Sequence, residues 1–196
     1  MKTIEVYKID ELEDKKNALK IVRTIINNNF QHEYELLEYD ASNILTFDYD
    51  LPEDLQIFMQ CDYDVDTLFF EADFTHDQVL QILEKILELD KLEEIKNMIL
   101  NHNVMLTGSF KRDYFYARQI YFEFSFSNID GETQELQHDL LSFICHEIKK
   151  YFESICQKTK ITLNVILHYF NSEEYEIEYA REREYYFTSK GYLVTE

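Results

Sequence analysis

The residues best suited to chemistry are Asp62, Asp64 and Asp66, in the run Asp62-Tyr-Asp64-Val-Asp66. Carboxylates at alternate positions open a calcium loop, because their hard oxygens can converge on one Ca²⁺ or Mg²⁺ ion. The rest of such a loop is missing: its sixth position, which needs glycine, is Thr67, and its twelfth, which needs glutamate, is Asp73. The three aspartates are therefore candidate metal ligands only for a looser Ca²⁺ or Mg²⁺ site. The preference of aspartate for turns over strands favours their lining a turn instead. No other cofactor is indicated.

These aspartates belong to a larger feature. Between Arg23 and Lys85 there is no lysine or arginine, and most of the formal net charge of -20 comes from this segment. Surfaces ordinarily mix both signs, since unrelieved like charge repels itself. A basic partner protein is the natural complement, whereas DNA, RNA and anionic membranes would be repelled. The candidate partner-binding residues are Asp48, Asp50, Glu53, Asp54, Asp62, Asp64 and Asp66. They point to a non-enzymatic acidic protein acting by stoichiometric binding. Such a protein would be an inhibitor, immunity or anti-defence factor against a basic or nucleic-acid-handling protein, acting as a DNA mimic if its acids reproduce the spacing of phosphates. Two alternatives use the same residues differently. One is a divalent-metal-dependent enzyme built on the clustered carboxylates; the other is a structural homo-oligomer, such as a homodimer, joined through the aromatic strands.

Several chemistries are excluded by what is missing. The three glycines stand at 108, 131 and 191, so no phosphate loop, dinucleotide fold or nucleophile elbow can be assembled. His146-Glu147 is followed by Lys150 where a zincin needs its second histidine. Gly108-Ser109 ahead of a strand bearing Glu123 resembles the start of a nucleotidyltransferase site, but the paired carboxylates that would hold two metals are absent. No catalytic residue is assigned.

The opening residues Met1–Asp10 carry Lys2, Glu5, Lys8 and Asp10 where a signal peptide needs an apolar run, and no stretch is long and apolar enough to span a membrane. A cytoplasmic protein is expected. Three cysteines, Cys61, Cys145 and Cys156, without framework spacing agree with a reducing compartment.

The elements that must position the acids follow from periodicity. Residues 2–9 read as a strand, and Asp10 with Glu13 as a capping box opening a helix that stops at Asn27-Asn28-Asn29. From Tyr34 to Phe74 the period shifts towards 2, which predicts a meander of three or four strands, among them Ile44–Tyr49, Leu55–Met59 and Leu68–Phe74, with Pro52 in a turn. Phe47, Tyr49, Ile57, Met59, Phe70 and Phe74 would then face inward and leave the acids outside. Thr75 and Gln78 form a capping box for a long helix, or two abutting ones broken near Asp90, ending at Asn101-His102-Asn103. Gly108-Ser109 suggests a turn, Ile120–Phe126 alternates as a strand, and a helix runs to about Gln157. Ile161–Phe170 reads as a central strand, Asn171-Ser172 as a hairpin turn, and Tyr175–Tyr179 as a half-exposed strand. The class expected is α+β, with antiparallel or mixed sheets and three main amphipathic helices in the order β-α-β(3-4)-α(long)-β-β-α-β-β. One compact domain over 1–196 is expected, with any subdivision near 103 separating an acidic N-terminal half from an aromatic-rich C-terminal half.

Overall fold

The computed structural model describes residues 5–61, 64–102, 104–112, 120–128 and 138–194, with the side chains of 30–32, 102, 104, 112, 120–128 and 138–141 left aside. The protein is α+β. Its elements in chain order are α1 (Lys16–Asn28), α2 (Phe30–Asn43), β1 (Gln56–Cys61), β2 (Val65–Phe74), α3 (His76–Ile86), α4 (Leu89–His102), β3 (Val104–Arg112), β4 (Ile120–Asn128), α5 (His138–Phe170) and α6 (Glu173–Glu182). A short 3-10 turn at Ile9–Glu11 precedes α1, and a π-helical turn at Ile44–Asp48 closes α2. Among the described residues six α-helices stand where three were expected, and the element order differs accordingly.

The chain forms two compact units. One comprises Met1–Asp40, Tyr63–Val65 and Thr162–Glu196, the other Ala41–Asp62 and Asp66–Ile161. Both draw on both halves of the sequence.

The second unit holds the sheet, in the order β1-β2-β3-β4. β3 pairs antiparallel with β2, setting Asp73 beside Ser109, and with β4 along its whole length from Val104↔Asn128 to Arg112↔Ile120. Alternation puts Phe70, Ala72 and Phe74 of β2 and Leu106 and Phe110 of β3 into the core, where they meet Val79, Ile82 and Leu83 of α3, Leu92, Ile95 and Ile99 of α4, and Ile144, Ile148 and Phe152 of α5. Phe152 lies at the centre, its ring centroid 5.3 Å from Phe70, 5.1 Å from Phe74 and 4.8 Å from Phe110. The α3 capping box forms as its sequence dictates. The Thr75 N–H donates to Gln78 Oε1 at 2.9 Å, and Thr75 Oγ1 accepts from the Gln78 N–H. α3 and α4 are indeed two abutting helices, parted at Leu87-Glu88 and not at Asp90.

The first unit has its own core of Ile9, Leu12, Ala18, Val22, Ile26, Tyr179, Ala180 and Phe187. Tyr7 and Phe187 exchange backbone hydrogen bonds of 2.8 Å, and this bridge is what the strand predicted over 2–9 amounts to among the described residues. Gly191 has φ +76°, and a Cβ there would lie 3.0 Å from the Ala18 backbone nitrogen, so both conformation and space require glycine.

Five expectations are overturned, three of them because a segment read as a strand is helical. The segment read as the first strand of a meander continues α2 and ends in the π turn. Its buried residues Glu33, Leu37, Ala41 and Leu45 recur every fourth position, which only a helix brings to one face. Ile161–Phe170 continues α5: Ile144, Ile148, Phe152, Ile155, Thr159, Leu163 and Leu167 form one buried stripe at spacings of three and four. Tyr175–Tyr179 lies in α6, capped by Ser172, whose Oγ accepts from the Tyr175 N–H, with Glu173, Glu174 and Glu176 in the first turn where the helix dipole favours acids. Gly108-Ser109 makes no turn but sits inside β3. The helix expected from an Asp10–Glu13 capping box begins only at Lys16, and Asp10 is used elsewhere.

Asp10 accepts two hydrogen bonds from the Arg181 guanidinium, 2.6 Å from Nε and 2.9 Å from Nη2. The hydrogen bond from Arg181 holds the Asp10 carboxyl below its ordinary value of 3.8. A carboxyl lowered on folding stabilises the protein above its unfolded pKa, and that contribution is lost as pH falls through the folded value. Urea titrations of wild type and Asp10→Asn should therefore differ at neutral pH and converge well below pH 3.8. A difference that does not shrink with acid would contradict this role.

Candidate acidic docking site

Four of the seven candidate acids fall together on the segment from the end of the π turn to the start of β1. The chain there alternates between anchor and display. Leu45 is fully buried, Phe47 and Asp48 project outward, Tyr49 is half-buried, Asp50 is exposed, Leu51 and Pro52 are buried, and Glu53 and Asp54 stand exposed in the turn before β1. The Leu51 N–H donates to the Leu45 carbonyl at 3.3 Å, closing the loop on itself. Asp50 takes a left-handed conformation, φ 54°, which aspartate tolerates better than most residues. Lys85, at the end of α3, reaches this loop with its Nζ 2.8 Å from Asp50 Oδ2 and 3.5 Å from the Tyr49 carbonyl. The first cation after the uncharged-base stretch is thus committed to the stretch itself. This ion pair is solvent-exposed and is worth little as a stabiliser, so its role is to hold the loop's course. Burial, with Asp48 beside it, raises the Tyr49 phenol above its ordinary value.

The centre of the display is Phe47. Read from sequence it belongs to the inward face of a strand; in the structure it is 74% exposed. The correction follows from the element: in a π turn the inward position passes to Leu45, two residues earlier. An exposed aromatic ring in the same short run of chain as exposed Asp48, Asp50, Glu53 and Asp54 has the composition of an interface anchor with a charged rim. Irregular π turns within helices also recur at functional sites.

The other three candidates lie apart from this group in the chain. Asp66 is exposed at the start of β2, and its backbone carbonyl accepts from Lys160 Nζ at 2.6 Å. Asp64 belongs to the first unit, where its Oδ1 is 2.7 Å from His168 Nε2, next to the Val65 N–H that donates to Asn164 Oδ1 at 2.6 Å. Asp62 lies outside the described residues. Among the described residues no three His, Cys, Asp or Glu side chains converge as metal ligands. None of their helices is long and apolar enough to cross a membrane.

Two polar arrangements were not foreseen. On β2 and β3 the Ser109 hydroxyl donates to Asp73 Oδ1, and Lys111 Nζ lies 3.5 Å from the same oxygen; the Ser109 bond, followed by the charge of Lys111, holds the Asp73 carboxyl below its usual range. In the first unit Glu33 and Glu176 are each 1% exposed. Tyr175 donates to Glu33 Oε1 at 3.4 Å, Arg23 donates to Glu176 Oε1, and the Oε2 of each glutamate has no partner. Burial, together with the Glu33 charge, pushes the Tyr175 phenol up to about 12. The signal in sequence was spacing: Glu33 leads the four-residue stripe of α2.

The chain matches no family model, no curated protein and no solved structure.

Proposed function

We propose that the protein works by stoichiometric binding of a basic protein, with Asp48, Asp50, Glu53 and Asp54 as the charged rim and Phe47 as the anchor. Asp62, Asp64 and Asp66 extend the acidic character of the same stretch of chain. The partner is a cationic or nucleic-acid-handling protein whose basic cleft the acids occupy, which makes this chain an inhibitor or immunity-type factor. The observation that supports the reading is the 74% exposure of Phe47 in the same short run of chain as exposed Asp48, Asp50, Glu53 and Asp54, where Lys85 already engages Asp50. Electrostatics would supply rapid encounter, and the ring would lengthen the complex's lifetime.

Immobilised wild-type protein should retain cationic proteins in a salt-sensitive manner. The variant Asp48→Lys/Asp50→Lys/Asp54→Lys should retain none while keeping its circular dichroism and melting temperature. Phe47→Ala alone should weaken retention about tenfold with little change in its salt dependence. Retention by the triple variant equal to wild type would remove the assignment.

A further inference from the structure

The end of α6 is closed by a motif that ordinarily calls for glycine. The Tyr185 N–H donates to the Ala180 carbonyl at 2.9 Å and the Glu184 N–H to the Arg181 carbonyl at 3.0 Å, the paired closure in which the residue just past the helix turns left-handed. That residue is Glu184, with φ 54°. A glutamate is strained there where a glycine would not be. Glu184 also lines a cleft of the first unit, open to solvent and holding about 260 Å³ of space when the water at its mouth is counted. The other walls are Lys8, Ile9, Ala180, Arg181 and Tyr185.

The cleft carries both signs of charge without cancelling them. Lys8 and Glu184 form no ion pair with each other or with any other described residue. Arg181 gives its Nε and Nη2 to Asp10 and keeps its Nη1 group beyond that pair. The C-terminal end of α6 favours a positive charge beside Glu184. Ile9 and Ala180 are buried and Tyr185 half-buried, so the rest of the wall is apolar.

We infer that this cleft binds a free α-amino acid with a small apolar side chain. Lys8, helped by Arg181, holds the carboxylate, Glu184 holds the ammonium at the end of α6, and Ile9, Ala180 and Tyr185 take the side chain. The site is independent of the acidic docking reading. Charge decides the ligand, because a simple anion would meet Glu184 unpaired and a simple cation would meet Lys8 unpaired. Size agrees: the space falls below the roughly 300 Å³ at which sites for drug-sized ligands begin. The strain at Glu184 then has a purpose, since glycine would relax the turn and remove the ammonium's partner.

The test titrates the full chain with L-alanine and L-valine, and with propylamine and propionate, which each carry one of the two charges. Amide chemical shifts of Ile9, Glu184 and Tyr185 report binding. Either amino acid should shift them saturably, with affinity at least about tenfold above both singly charged compounds. Glu184→Gly should melt higher than wild type and lose the saturable shifts. Lys8→Met and Glu184→Gln should lose them with little change in melting temperature. No saturable shift with either amino acid, or equal affinity for a singly charged compound, would overturn the inference. So would wild-type affinity in Glu184→Gly, and so would a lower melting temperature for that variant, which would show that the glutamate serves the fold.

Discussion

Replacing Phe152 with alanine should destabilise the protein by about 3–5 kcal/mol, seen as a fall in melting temperature on the order of 10 °C. Phe152 is fully buried on α5 and its ring meets Phe70 and Phe74 of β2 and Phe110 of β3, so the one side chain joins the helix to two strands. Truncation removes the buried ring and leaves a cavity walled by three other rings, whose rigid shapes cannot collapse into it. Tilted and edge contacts between the rings add to the loss beyond their buried area. Phe152→Leu, which keeps most of the volume, should recover more than half of the stability. A loss below about 1 kcal/mol for the alanine variant would show that this cluster does not centre the core.

The second large effect is expected at Arg23. Its guanidinium donates to Glu176, whose side chain is 2% exposed while that of Arg23 is 59% exposed. Water reaches the cation but not the anion, so the pair is worth less than one wholly buried, yet the carboxylate depends on it. With Glu176 Oε2 already without a partner, Arg23→Ala would strand both oxygens of a buried carboxylate. The cost should be about 2–3 kcal/mol, reduced from that of a fully buried pair by solvent at the arginine. Adding Glu176→Gln to Arg23→Ala removes the stranded charge and should restore much of the loss, giving a coupling energy above about 1 kcal/mol in the double-mutant cycle. Strict additivity of the two substitutions would rule out the pair as the reason Glu176 is tolerated inside the unit.

What could be read in the sequence was whatever had a local cause. The Thr75–Gln78 box, the Asn27–Asn29 stop, the strand expected over Ile120–Phe126 and the helical stretch that became α3 and α4 each depend on residues within a few positions of one another. What failed was the choice between periods where both were present. Tyr175-Glu-Ile177-Glu-Tyr179 alternates as a strand would, yet Glu176 and Tyr179-Ala180 are the buried members, and burying a glutamate makes sense only with Arg23 available from a distant helix. Ile161–Phe170 is apolar enough for a central strand, and periodicity cannot distinguish that from the end of a long helix. The candidate site divides in the same way. Its acids were legible as composition, because the absence of Lys and Arg from 24 to 84 needs no fold to be seen. Phe47 was not, since its exposure depends on a π turn that hands the inward position to Leu45.

The three thiols can act as a clock. Cys156 is 6% exposed in the sheet-bearing unit, and burial pushes its thiol up to about 12, so at neutral pH almost none of it is the reactive thiolate. Cys61 and Cys145 are only half-buried. A thiol reagent should therefore consume the outer pair first and reach Cys156 only when α5 lifts from the strands beneath it. The delay between the two events measures how often that core breathes, and an oxidising pulse would mark the rim of the unit long before its centre.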